Sequence, residues 1–136
     1  MLSKLIIICA AAFILNLLWE EAHSVLYVHY KDAPITHLVL LRAALFDALL
    51  ISLFSAPFLL RSNLNSWRGT PVLFVAALTV FAIGLEKWAL GAGRWAYTDA
   101  MPLIPYLWVG LTPTIQLGLT GFFAFWFANK DWMEPR

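Results

Sequence analysis

Glu20, Glu21 and His23 stand in "NLLWEEAHSVLY", a stretch that follows the apolar run "LIIICAAAFIL" without a break. A carboxylate and an imidazole in such company can pass a proton between them or to a bound molecule. The Glu20-x-x-His23 spacing also occurs in carboxylate-bridged di-iron helical bundles, which need a second copy and two further glutamates. This chain has one copy, and His29 and His37 fall at or near a loop. The pattern therefore points to proton chemistry or ion pairing, with no metal and no cofactor.

An element must hold these groups. On a helix turning about 100° per residue, Asn16, Glu20, His23 and Tyr27 fall within roughly 60° of one another, a single stripe. Glu21 points about 140° away from Asn16 and leaves the stripe. Polar groups aligned on an otherwise apolar helix turn toward neighbouring helices rather than lipid.

The composition says what surrounds that helix. Apolar residues make up 62% of the 136 and charged residues 12%, too small a charged surface for a soluble domain of this size. A net charge of +1 with no basic cluster gives no reason to expect nucleic acid as a partner. The single cysteine, Cys9, excludes an intramolecular disulfide. Spanning a bilayer takes about 20 mainly apolar helical residues, and four segments qualify: 4–28, 35–60, 71–90 and 106–128. The first is expected to be an uncleaved helix rather than a signal peptide, because its hydrophobicity runs past any cleavage point. The expected architecture is all-α, one domain over 1–136, a polytopic four-transmembrane-helix bundle. Lys4, Arg61, Arg68, Lys130 and Arg136 lie on one side, against Lys31, Lys87 and Arg94 on the other. Positive charge collects on the cytoplasmic side, so both termini are expected there. Trp67, Trp126 and Trp132 would mark the inner interface, and Trp88, Trp95 and Trp108 the outer one.

Depth can be counted from the turn near Lys31 and Asp32. Residues equally far from it lie level, which sets Glu20 opposite Arg42 and Asn16 opposite Asp47. At ~1.5 Å per residue, Glu20 and Arg42 sit roughly 12–15 Å along their helices. A submerged unpaired charge costs about 2.5–3.5 kcal/mol, so a Glu20–Arg42 ion pair is expected. Glu86 lies near the outer end of the third helix. Thr112 and Gln116 share a face of the fourth, with Thr120 one turn further in. Gly110, Thr114, Gly118 and Gly121 form a small-residue seam for close helix approach. Glu20, His23, Arg42, Glu86 and Thr112 all lie toward the outer side, with Asn16, Asp47 and Gln116 nearer the middle. A polar pocket opening outward and floored near Asp47 is expected.

Three stretches, "NLLWEEAHSVLY", "RAALFDALLI" and "LEKWALGAGRWAYTDAMPLIPYLWVGLTPTIQL", resemble a group of small bacterial four-helix membrane proteins, a resemblance that implies a bacterial plasma (inner) membrane and brings no activity with it. More remotely, an acidic helix residue followed by "GxWxY", a loop and "GLTP" is similar to the lycopene cyclase domain of carotenoid biosynthesis. The matching positions are Glu86, Gly93, Trp95, Tyr97, Gly110, Leu111 and Pro113. That domain carries paired glutamates after its "GLP"-like element, where this chain reads "LTPTIQL", so its catalytic residues do not carry over. The resemblance implies a shared architecture and long apolar, isoprenoid-like ligands.

The expected function is a pocket that binds, and in an enzyme version modifies, an isoprenoid or other membrane lipid. Glu20 and Asp47 are the acid/base candidates, and Arg42 and His23 position the reacting group. Asn16, Tyr27, Glu86, Trp95, Tyr97, Thr112 and Gln116 complete the pocket. The alternatives are an accessory subunit of a larger membrane complex, with a membrane-protein partner or a second copy bound through surfaces such as "FFAFWF", and an oligomeric transporter or proton-linked channel. A purely structural ion-pair cluster fixing helix register competes with all three.

Overall fold

The computed structural model describes residues 1–61 and 69–129. Trp67, Arg68, Lys130, Trp132 and Arg136, used above for orientation, lie outside the described residues. Among the described residues, four helices are long and apolar enough to cross a membrane. They are α1 (Leu2–His23), α2 (His37–Leu60), α3 (Thr70–Gly91) and α4 (Leu111–Ala128). Each closes its own backbone hydrogen bonds, the one arrangement besides a closed barrel that lets a chain dispense with water. The Thr36 hydroxyl caps α2 by accepting from the Val39 amide at 3.4 Å. Pro71 occupies the first turn of α3, where a missing N–H costs nothing.

Two departures from the all-α expectation matter for the site. The first helix does not reach residue 28: after His23 the chain makes a 3-10 turn, Ser24–Leu26, and then a strand, β1 (Tyr27–Tyr30). This strand pairs antiparallel with β2 (Trp95–Tyr97), aligning Tyr27 with Tyr97 and Tyr30 with Trp95, with an irregularity at Val28. Lys31 and Asp32 both adopt positive φ, 50° and 58°, which gives the tight turn that matches strand twist. Tyr30 and Ala33 exchange both of their backbone bonds across it, at 3.0 and 3.1 Å. The second departure is the start of the fourth helix, expected at residue 106 and found at Leu111. Tyr106 and Trp108 have φ of 66° and 58°, left-handed values that no helix accommodates. The chain instead folds back so that Leu111 N donates to Pro102 O at 2.7 Å.

Helix α1 packs against α2 and α4, and α4 packs against α3, while α2 and α3 touch only sparingly. The apolar core, with Ile8, Ile51, Phe74, Leu78 and Phe125 among its members, fills the end away from the strands. There Phe58 meets Phe74 and Phe54 meets Phe81, each with centroids 5.5 Å apart, closing α2 onto α3. Gly118 and Gly121 of the expected seam face α3: a β-carbon at Gly121 would stand 2.5 Å from Leu78 Cδ1 and 3.5 Å from Phe74 Cε1. Gly121→Val is expected to cost about 1–3 kcal/mol by overpacking, read as a lower midpoint of denaturation in detergent. An unchanged midpoint would mean that α3 and α4 are not held at this distance.

The distribution of polarity is inverted. Asn16 is 0% and Gln116 4% exposed, while Leu53, Val72 and Val80 are 68%, 73% and 70% exposed. The outer faces of the helices are apolar, and the polar side chains collect between them.

Candidate functional site

The centre of the polar cluster is one amide nitrogen. Gln116 Nε2, on α4, lies 2.8 Å from Glu20 Oε1, 3.0 Å from Asn16 Oδ1 and 3.0 Å from Asp47 Oδ2. It thereby joins α1, α2 and α4. An NH2 group carries two hydrogens, and three oxygens surround it. One of the three acceptors therefore needs a second donor, and the Thr120 hydroxyl is placed to supply it to Asn16 Oδ1. Asn16 is turned by its own bond from Nδ2 to Ala12 O, 2.8 Å, and its Oδ1 lies 3.2 Å from the Thr120 hydroxyl.

A second branch leaves Glu20. Its Oε2 is 3.4 Å from His23 Nε2, and His23 Nδ1 is 3.1 Å from Thr112 Oγ1. The α1 spacing of three residues places Glu20 and His23 on one face, and α4 supplies Thr112 one turn before Gln116. A third branch centres on Glu86 of α3. Trp95 Nε1 donates to Glu86 Oε2 at 3.2 Å, the Tyr97 hydroxyl donates to the same oxygen, and Gly110 N donates to the Tyr97 oxygen at 2.9 Å. Strand β2 thus ties α3 to the residue that opens α4. Burial, and then the bond to Glu86, push the Tyr97 phenol above its ordinary value. Tyr27 stands between the branches, its ring 5.3 Å from His23 and 5.4 Å from Tyr97.

Beneath the strands, where α2 and α3 diverge, lies a cavity of about 520 Å³. Glu20, Asp47, Glu86 and Gln116 line it together with Tyr27, Trp95 and Arg42. Ala43, Phe46 and Leu117 add apolar wall. Asn16, His23, Tyr97 and Thr112 stand behind this lining and hold it. His23, Thr112 and Thr120 line a groove of about 620 Å³ on the opposite side, between α1 and α4, with Trp19 and Phe123. The polar cluster is therefore a wall with one hollow on each side. Donors and acceptors connect the two across His23–Glu20 and across Thr120–Asn16–Gln116.

The expected Glu20–Arg42 ion pair does not form. Glu20 is held by Gln116 and His23, and every ion pair among the described residues uses a histidine. Residues 24–36 are the reason. The depth count treated this connection as helix at ~1.5 Å per residue, whereas its strand rises about 3.3 Å per residue. Glu20 consequently lies level with Asp47, and Arg42 sits at the cavity rim. Counting on the α1–α2 hairpin alone also missed that the partner of both carboxylates comes from α4. Lys31, Arg94 and Trp88 line the same cavity; the sequence reading used them for topology and did not assign them to the site. Glu21, expected off the stripe, is bonded instead to exposed His37 at 2.8 Å. Among the described residues, no three His, Cys, Asp or Glu side chains are placed to hold a metal ion. No family model, no curated protein and no solved structure matches this chain.

Proposed function

We propose that this chain is an integral membrane protein with both termini cytoplasmic, and that its cavity takes a lipid-type ligand of the isoprenoid or acyl class. The observation that carries the proposal is the gap between α2 and α3. It is closed by Phe54–Phe81 at one end and opens into a cavity whose walls are apolar and whose floor holds Glu20, Asp47 and Glu86. Such a space receives a long apolar chain from the side and presents carboxyl and amide groups to the part of the ligand that reaches its floor. In this orientation the strands and the cavity mouth face away from the cytoplasm. The exposed apolar faces of all four helices support burial in lipid. The inference is of binding; the Glu20–Gln116–Asp47 cluster supplies a proton donor and acceptor to whatever end of the ligand reaches it.

Ala43→Trp tests the proposal by filling the cavity from its half-buried α2 wall. Leu53→Trp, on the exposed face of the same helix, is the control. Native mass spectrometry of protein released gently from the membrane is expected to find about one lipid per chain in wild type and in Leu53→Trp, and none in Ala43→Trp. Wild-type chains free of lipid, or equal retention by both variants, would remove the basis of the reading.

A further inference from the structure

Lys31, Arg42 and Arg94 come from three separate segments, the turn after β1, the outer part of α2 and the α3–β2 connection. All three line the mouth of one cavity. Among the described residues none of the three is ion-paired, every ion pair there having a histidine as its cation. Two of the cations are also steadied by aromatic faces. The Arg94 guanidinium lies 5.1 Å from the centroid of the Trp88 ring, and the Lys31 ammonium lies 5.4 Å from that of Tyr30. Isolated cations at a membrane surface reach for water and need no explanation. Three that converge on one hollow, two of them braced, form a preset field for an anion.

We propose that this mouth binds a phosphoryl headgroup, so that the ligand of the preceding section is an anionic amphiphile and not a neutral one. Arginine meets phosphate oxygens in a two-pronged hydrogen-bonded geometry, and lysine adds a point charge. Among the described residues the floor holds Glu20, Asp47, Glu86 and Gln116 and no cation, so the deep end offers a phosphoryl group no counter-charge. The phosphoryl group is therefore held at the mouth, and the apolar chain runs toward the gap between α2 and α3. This assignment rests on the lipid-binding reading, and the two fail in different ways.

The test uses the full chain in nanodiscs of phosphatidylcholine, to which phosphatidylglycerol or diacylglycerol with identical chains is added. Retention is read by native mass spectrometry. Wild type is expected to keep phosphatidylglycerol over diacylglycerol by at least roughly tenfold, the scale of one charge-assisted hydrogen bond. The triple variant Lys31→Gln, Arg42→Gln, Arg94→Gln is expected to lose the preference while still carrying lipid. Lys87→Gln, which removes an exposed cation outside the cavity, is expected to keep it. Equal retention of the two lipids by wild type, or a preference that survives the triple variant, overturns the phosphoryl site while leaving lipid binding intact. Loss of all bound lipid from wild type would instead strike the parent reading. Inorganic phosphate is the remaining arm. If it binds wild type and not the triple variant, with no lipid preference in either, the anion is a soluble phosphate and the headgroup assignment falls.

Discussion

Gln116→Leu is expected to destabilise the protein by about 2–4 kcal/mol. Leucine fills a similar volume, so the loss isolates the amide. Measured couplings between helices in membranes run from ~0.6 to ~1.7 kcal/mol per hydrogen bond, whereas a buried group left without a partner costs about 1–3 kcal/mol. Glu20 Oε1 and Asp47 Oδ2 both lose their donor here, while Asn16 Oδ1 keeps Thr120. Two orphaned carboxyl oxygens decide the estimate. Denaturation in mixed detergent measures it, with the double variant Gln116→Leu, Asp47→Leu as the internal check. Removing the orphan with its donor is expected to cost less than the two single changes added together. Strict additivity, or a single-variant loss below about 0.5 kcal/mol, would mean that the amide does not organise the cluster.

Tyr97→Phe is the second large effect, because one hydroxyl serves three elements. It donates to Glu86 on α3 and accepts from the Gly110 amide at the start of α4, while its own backbone belongs to β2. The ring is retained, and with it the packing on Tyr27. The expected cost is about 1–3 kcal/mol. Faster hydrogen exchange should concentrate at the Gly110 amide and along β1 and β2. Glu86→Gln should be much milder, since an amide oxygen still accepts from Tyr97 and Trp95. The pH dependence separates the variants further. A phenol whose folded value lies above the ordinary 10.0 contributes stability that is whole below that pH and is lost as pH rises through the folded value. The alkaline loss of stability should therefore shrink in Tyr97→Phe. Uniform exchange across the chain, with no local change at Gly110, would contradict the linking role.

Four spanning-length helices were legible in the sequence because hydropathy averaged over about 20 residues does not depend on tertiary detail. Their ends were not. Tyr106 and Trp108 are as apolar as any helical residue, and only their positive φ excludes them from α4. Tyr27 and Val28, the first half of "YVHY", were read as the end of a helix because Tyr27 continues the Asn16–Glu20–His23 stripe. The pairing of "YVHY" with "WAY" is a contact between segments far apart in sequence, which no local period announces. The same limit governed the site. Asn16, Glu20, Asp47 and Gln116 were each picked out as polar groups in apolar surroundings, and they do meet. The partner assigned to Glu20 was wrong because the hairpin count used one pair of helices and an unbroken helical rise. Arg42 was placed with the carboxylates from the sequence; that Lys31 and Arg94 share their hollow was not legible, because both reach it from the connections between helices.

The Gln116 amide is reached across a long stretch of chain, 96 residues from Glu20 and 69 from Asp47. For a chain that enters a bilayer from its N-terminus, as proposed, that separation is also a delay. The first two helices would arrive carrying carboxyl groups whose common donor had not yet been made. Arrival of the fourth helix would complete the cluster. A chain stalled before Gln116 should therefore be degraded faster than one stalled after Ala128.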